Sequence, residues 1–198
     1  MEMENIKFVS VVLMYVALAI SACKSGNGAD KKVVEMEGDE IVGRILLVPD
    51  SMEAYKPFKE YPSGISKLKE GGMKIYTLVD VSCSSCIQNI KNWDLLSNLF
   101  IKENVPIFMI CQSKDGFELF KYFCESGKVA RFAFPFFLDK KSVFLKQNSF
   151  LSTITYPTIL LDENDKILSF GDPTHSKEVL DKYLAKIAEL NKKKKETK

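Results

Sequence analysis

Hydrophobic and polar positions in the second half of the chain alternate between two periods. Residues 74–81 read Lys-Ile-Tyr-Thr-Leu-Val-Asp-Val, a short β-branched and mostly apolar run that predicts a buried central strand. Directly after it Cys86, Ile90, Trp93, Leu96 and Phe100 fall three or four residues apart, one face of a long helix. Residues 105–111 predict a second buried strand. Asp115 is placed to cap a helix whose apolar face includes Phe117, Phe120 and Cys124 and which ends near Gly127. Residues 132–138 are a third strand candidate, which Pro135 assigns to a sheet edge or to irregular extended chain. A short helix is expected at 141–147. Apolar runs at 157–161 and 166–170, joined by Asp162-Glu163-Asn164-Asp165, predict a hairpin. The last helix follows Asp172-Pro173, with Asp172 as N-cap, Pro173 as first helical residue, and Val179, Leu180, Tyr183, Leu184, Ile187 and Leu190 as its apolar stripe. Strand, helix, strand, helix, strands and helix describe an α/β sandwich, a mixed sheet with helices on both faces.

The first part of the chain is patterned differently. Lys7, an apolar stretch at 8–20 broken only by Ser10, and the small residues Ser21 and Ala22 are the parts of a secretory signal, and the stretch is short for a membrane span. Ile20-Ser21-Ala22-Cys23 resembles the lipobox of bacterial lipoproteins. That resemblance implies removal of residues 1–22 and acylation of Cys23, whose acyl chains would anchor the protein to a membrane. Residues 23–32, with Ser25, Gly26, Asn27 and Gly28, read as a flexible tether. Residues 33–72 read as a loop-rich extension. Two apolar clusters separated by Gly38-Asp39 suggest a hairpin or two edge strands, three prolines and three glycines break residues 49–72, and a short helix is expected near 51–55. The remaining chain divides into a globular domain at 73–190 and a basic tail at 191–198.

Composition adds limits. With 198 residues, 46% hydrophobic and 27% charged, the chain suits one globular domain beyond its targeting segment. A net charge of +2, with lysines spread along the chain, argues against a nucleic-acid partner. Five cysteines become four once Cys23 is assigned to lipid, and export places Cys83, Cys86, Cys111 and Cys124 where disulfides persist.

The chemistry concentrates at Cys83-Ser84-Ser85-Cys86, between the first central strand and its helix. Cys83 should lie at the helix N-terminus with its sulfur partly exposed, where unpaired amides and the helix dipole favour a thiolate. Cys86, one turn in, should be more buried and close enough to resolve a mixed disulfide formed at Cys83. The same spacing also serves zinc sites and inert structural disulfides. A closed zinc site wants four ligands, however, and beyond the pair only Cys111, Cys124 and the sole histidine, His175, remain.

With the strand before the CxxC, the helix after it and a late proline opening a hairpin, residues 73–190 resemble the thioredoxin superfamily, closest to its TlpA/ResA-like extracytoplasmic thiol:disulfide oxidoreductases in lipoprotein form. The resemblance implies a thioredoxin-like three-layer α/β sandwich. It makes Cys83 the attacking and Cys86 the resolving thiol. It reads Tyr156-Pro157-Thr158 as the element with a cis proline facing the CxxC, so that Tyr156 and Pro157 would bind a substrate chain. Ser82 stands where many relatives have Trp, Ser84-Ser85 replaces their usual pairs, and no proline follows Cys86 in its helix.

The function expected is exchange of disulfides with protein thiols in the cell envelope, fed by an electron donor whose identity the pattern leaves open, with no cofactor and no metal. Lys24 does not look like an inner-membrane retention signal, which points to the outer membrane facing the periplasm. The alternative is a redox-inert binding module of the same fold. A peroxiredoxin-like site would want Thr and Arg near the active cysteine, and none flanks Cys83. Cys111 is read either as a third exchanging thiol near the pair or as a small buried hydrophobe, and Cys124 as core. His175 is read as an exposed residue of the last helix's first turn, and Phe132, Phe134, Phe136 and Phe137 as core.

Overall fold

A computed structural model describes residues 40–58, 72–152, 154 and 157–196. Its centre is β2 (Lys74–Asp80), buried along all but its last residue, paired in parallel with β3 (Ile107–Gln112) from Ile75↔Ile107 to Asp80↔Gln112. β4 (Phe136–Leu138) extends this parallel block beside β3, and β1 (Glu53–Tyr55) closes that edge antiparallel to β4. On the other side β5 (Thr158–Leu161) runs antiparallel to β2, and β6 (Ile167–Phe170) antiparallel to β5. The order is β1-β4-β3-β2-β5-β6, a six-stranded mixed sheet.

Alternation along β3 shows why both faces need cover. Ile107, Met109 and Cys111 enter one apolar core, with Ile90, Trp93 and Phe100 of α1 (Ser84–Lys102), Phe120 and Cys124 of α2 (Glu118–Glu125), and Tyr183 and Ile187 of α4 (Lys177–Glu196). Phe108 and Ile110 enter the other, with Tyr76, Leu78, Phe137 and Phe144 of α3 (Val143–Gln147). A sheet buried on both faces reads as continuous apolar sequence, which is why β2 and β3 carry no polar alternation. The expected α/β sandwich, mixed sheet and helices on both faces are all present. The four phenylalanines are core, and Phe136 and Phe137 turn to opposite faces as strand neighbours must.

Several local expectations are corrected. The short helix expected near 51–55 is the strand β1, held by the ladder to β4. Pro135 does not place β4 at an edge. It precedes the strand, and β1 covers the outer side. Within the described part of the 33–48 region no hairpin forms. Gly43 and Leu46 donate to the Ile167 and Asp165 carbonyls, leaving one isolated bridge, Ile45↔Lys166. Asp115 does not cap α2, because Phe117 occupies the cap position in the left-handed region at φ 73°. α4 begins at Lys177 rather than at Pro173, with Ser176 Oγ accepting the Val179 amide, and it runs through the lysines at 192–195 to Glu196. Residues 1–39, including Cys23 and the tether, and Tyr156 with its bond to Pro157 lie outside the described residues. So does the segment 59–71 of the extension.

Candidate functional site

The CxxC segment is set by the ends of two parallel strands. Beyond β2 the Val81 amide donates to the Gln112 carbonyl at 2.8 Å, continuing the pairing with β3 one residue further. Asp80 Oδ1 accepts the Ser82 amide at 2.9 Å, and its other oxygen lies 3.6 Å from Lys114 Nζ. Ser82 Oγ accepts the Lys114 amide at 2.8 Å and lies 3.3 Å from Ser113 Oγ, whose hydroxyl also donates to Asp115. Ser82 therefore ties the turn before the cysteines to the turn after β3. Asp115, expected as a helix cap, belongs to this clasp instead.

Cys83 takes the cap position of α1 with extended backbone (φ −103°, ψ 117°), and its carbonyl accepts the Ile87 amide at 3.0 Å. Helical geometry from Ser84 onward puts Cys86 one turn along, with a Cα–Cα separation of 5.3 Å from Cys83, and the two form a disulfide. No side chain caps the helix at Cys83, and a helix N-terminus leaves first-turn amides that favour negative charge beside them. Both cysteines are half-buried. With Cys83 in a disulfide, the Ser85 hydroxyl, 3.1 Å from its sulfur, can only donate to it.

A cleft of about 340 Å³ opens beside Cys86. Thr77, Leu78 and Val79 of β2 form one wall, and Ser85, Cys86, Asn89 and Trp93 of α1 another. The third comes from Asp172 and His175 in the turn between β6 and α4. Cys86, Asn89 and Trp93 stand at i, i+3 and i+7, one helix face. Between β2 and the start of β5, Thr77 Oγ1 and Thr158 Oγ1 are 2.8 Å apart, and the Leu78 amide donates to the Pro157 carbonyl at 3.1 Å. Pro157 is thus buried against β2, five residues before Cys83.

The turn carrying Asp172 and His175 is closely bonded. Asp172 Oδ1 accepts the Thr174 amide at 2.7 Å, and Oδ2 is 3.1 Å from His175 Nδ1. Asn89 Nδ2 donates to Thr174 Oγ1 at 3.1 Å and lies 3.5 Å from Asp172 Oδ2. Tyr183 Oη, fully buried in α4, reaches the Thr158 and Gly171 carbonyls at 3.1 and 3.0 Å. Sequence reasoning singled out none of Asn89, Asp172 and His175 for the site. The available signals were a polar residue inside the apolar stripe of α1 and a histidine three residues after an aspartate.

The other two thiols are placed elsewhere. Cys111 lies fully inside the core, in register with Val79 and Leu138, and burial pushes its thiol well above the ordinary range. Cys124 is buried on α2, its thiol pushed up to about 12 by burial and then by Glu125. Both surroundings favour the thiol over the reactive thiolate. Among the described residues no three His, Cys, Asp or Glu side chains gather as metal ligands would.

No family model matches the chain, and no curated protein matches it. Among solved structures, one described as a thiol:disulfide interchange protein DsbE from Chlorobium tepidum aligns at 15% identity. It covers 74% of this chain and 99% of its own, with a TM-score of 0.51. A thioredoxin-like protein solved in its oxidised form aligns at 12% identity over 75% of this chain and 96% of its own, with a TM-score of 0.52. At such identities the likeness concerns the path of the backbone, and with the strand order and the CxxC at the start of α1 it establishes that this chain has the thioredoxin-like fold.

Proposed function

We propose that this chain is a cell-envelope thiol:disulfide oxidoreductase acting on protein substrates through Cys83 and Cys86. The observation that carries the reading is a disulfide closed between a cap-position cysteine and the cysteine one turn later, at the cleft edge of a thioredoxin-like sheet. The thiolate of Cys83 attacks a substrate disulfide and forms a mixed disulfide, which Cys86 then resolves. In the opposite direction the Cys83–Cys86 disulfide accepts electrons from a substrate dithiol. Pro157, buried against β2, and Tyr156 before it would border the substrate chain.

The same reading takes residues 1–22 as a removed signal and Cys23 as the lipid-bearing residue. Residues 23–32 become the tether, 33–72 an extension, 73–190 the exchange domain and 191–198 its basic end. The lipobox-like Ile20-Ser21-Ala22-Cys23 supports an anchored envelope protein, and Lys24 supports the outer membrane facing the periplasm. Among the described residues no helix is long and apolar enough to cross a membrane.

The test is a redox titration of the full chain in dithiothreitol and glutathione buffers, counting free thiols by alkylation. A single two-electron transition confined to Cys83 and Cys86 is expected, with Cys111 and Cys124 unreactive in the folded protein. A midpoint near −270 mV would place the protein among reductants and one near about −120 mV among oxidants. A chain that shows no transition at any accessible poise is not an oxidoreductase, and the redox-inert binding module takes its place.

A further inference from the structure

The cleft beside Cys86 holds an ionisable pair that the exchange reaction, as described so far, does not use. Among the described residues that line it, Asp172 and His175 are the only acid and base apart from Cys86 itself. The β2 wall contributes Thr77, Leu78 and Val79, and α1 contributes Ser85, Asn89 and Trp93, none of them charged. From α4, Tyr183 packs behind the Asp172 turn, bonded to the Thr158 and Gly171 carbonyls.

The hydrogen bonds assign the tautomer. A carboxylate only accepts, so the 3.1 Å contact of Asp172 Oδ2 with His175 Nδ1 requires the proton on Nδ1, and the neutral ring then carries its lone pair on Nε2. Thr174 Oγ1, 3.0 Å from the same Nδ1, can then donate to Asn89 Oδ1 at 3.2 Å. Asn89 sits one turn beyond Cys86 on the same helix face, so the network fixes the imidazole to the helix that presents the resolving thiol. Asp172 is held at 20% exposure, whereas His175 is 66% exposed and open to protons from solvent. A nucleophilic thiol, a base and an oriented carboxylate meeting at one cleft is the general arrangement for activating a weak nucleophile.

We propose that His175, held by Asp172, is the acid–base partner of Cys86 in the resolving step. The proposal rests on the oxidoreductase reading. Starting from the mixed disulfide at Cys83, the Cys86 thiol gives its proton to His175 Nε2, directly or through water in the cleft. Its sulfur attacks Cys83 Sγ, and the Cys83–Cys86 bond forms as the bond from Cys83 to the substrate sulfur breaks. The electron pair leaves on the substrate thiolate, which takes the proton back from the imidazolium. The dithiol is oxidised by two electrons and the substrate disulfide is reduced to two thiols. In the reverse direction the imidazolium protonates Cys86 as it departs.

The experiment uses the reduced full chain mixed with oxidised glutathione. Trp93, the only tryptophan and part of the cleft wall, reports closure of the disulfide by stopped-flow fluorescence between pH 5 and 9. The expected result is that His175→Gln slows closure at pH 7 by about 10- to 100-fold and flattens the pH dependence near neutrality, as loss of a general base does. Alkylation of Cys83 keeps its rate, and added imidazole restores closure in His175→Ala in proportion to its concentration. Closure in His175→Gln with unchanged rate and pH profile, or His175→Ala that ignores imidazole, would overturn the assignment while leaving the oxidoreductase reading intact. A wild-type chain that forms no mixed disulfide removes both.

Discussion

Replacing Tyr183 with Phe removes one oxygen from the centre of the first core and tests how the two walls of the cleft are joined. The hydroxyl spans the Thr158 carbonyl at 3.1 Å and the Gly171 carbonyl at 3.0 Å, one at the first residue of β5 and the other opening the turn to Asp172. Burial, with the nearby Asp172 charge adding to it, raises the phenol far above its ordinary range, so it remains a donor at any working pH. The two acceptors differ in what they lose. Thr158 also accepts the Gly171 amide at 3.0 Å and keeps that partner, while the Gly171 carbonyl gives up its link to α4. The ring stays, so no cavity opens.

A net hydrogen bond contributes about 0.5–1.5 kcal/mol and an abandoned buried acceptor costs about 1–3. With one carbonyl still satisfied, about 1–2 kcal/mol is expected. For a chain of this length each kcal/mol moves the melting temperature by about 2–4 °C. Thermal and urea unfolding of the oxidised full chain measure it, and the urea slope should not change. Tyr183→Ala, which also empties the ring's space among Trp93 and Ile187, should cost about 3–5 kcal/mol. A Tyr183→Phe protein as stable as the parent would mean that the hydroxyl does not join β5 to the turn, and the cleft would need another account of its rigidity.

Three further outcomes follow from the same structure. The buried thiols Cys111 and Cys124 and the buried phenols Tyr76 and Tyr183 all have raised folded-state values. The native state therefore keeps protons that the unfolded chain releases, so their contribution is complete below the unfolded values of about 8.5 and 10 and is lost as pH climbs toward the folded ones. Urea midpoints should fall steadily above pH 9, and a flat profile to pH 11 would contradict the burial of these groups. Gly171→Ala meets both a φ of +120° and Val179 methyls 3.1 and 3.2 Å away, whereas Gly116→Ala meets a φ of +90° and open space. The first should lose about 1–3 kcal/mol and the second clearly less, and equal losses in urea melts would show that Val179 moves aside freely. Asn148, fully buried, accepts the Leu47 amide at 2.9 Å and donates to the Leu47 and Phe144 carbonyls at 2.7 and 2.9 Å. Asn148→Ala should cost about 2–3 kcal/mol and speed amide exchange at residues 43–47, and unaltered exchange there would show that this segment is held by β6 alone.

What could be read in advance was whatever depends on burial alone. β2 and β3 were legible because strands covered on both faces carry an unbroken apolar signal, and α1 because a nineteen-residue helix repeats its stripe several times. β1 was missed for the opposite reason. Glu53 and Ala54 are exposed, Tyr55 is half-buried, and three residues are too few for a pattern, so only the ladder offered by β4 makes them a strand. α4 begins late because Asp172 satisfies a nearer donor, the Thr174 amide, and leaves the cap to Ser176. That local choice also frees the other Asp172 oxygen for His175. The misplaced helix start and the overlooked dyad therefore have one cause.

Strand order supplies the rest of the site. β2 and β3 are parallel, so the turns after Asp80 and Gln112 emerge at the same edge of the sheet, and Ser82 can bond to the second of them. β5 is antiparallel to β2 with Thr77 opposite Thr158, so its first residues, and Pro157 before them, start at that edge. β6 reverses again, pairing Phe170 with Ile159, and ends there too, delivering Gly171 and the Asp172 turn. Each of these segments was visible as a strand end or a hairpin arm, but the periodicity of a chain does not state which strands adjoin. Once these four strands are ordered β3-β2-β5-β6, Cys86, the buried proline and the aspartate–histidine pair must share one edge. A site assembled in this way needs only its two cysteines close in sequence. The other groups that line its cleft can come from any strand that ends or begins beside them.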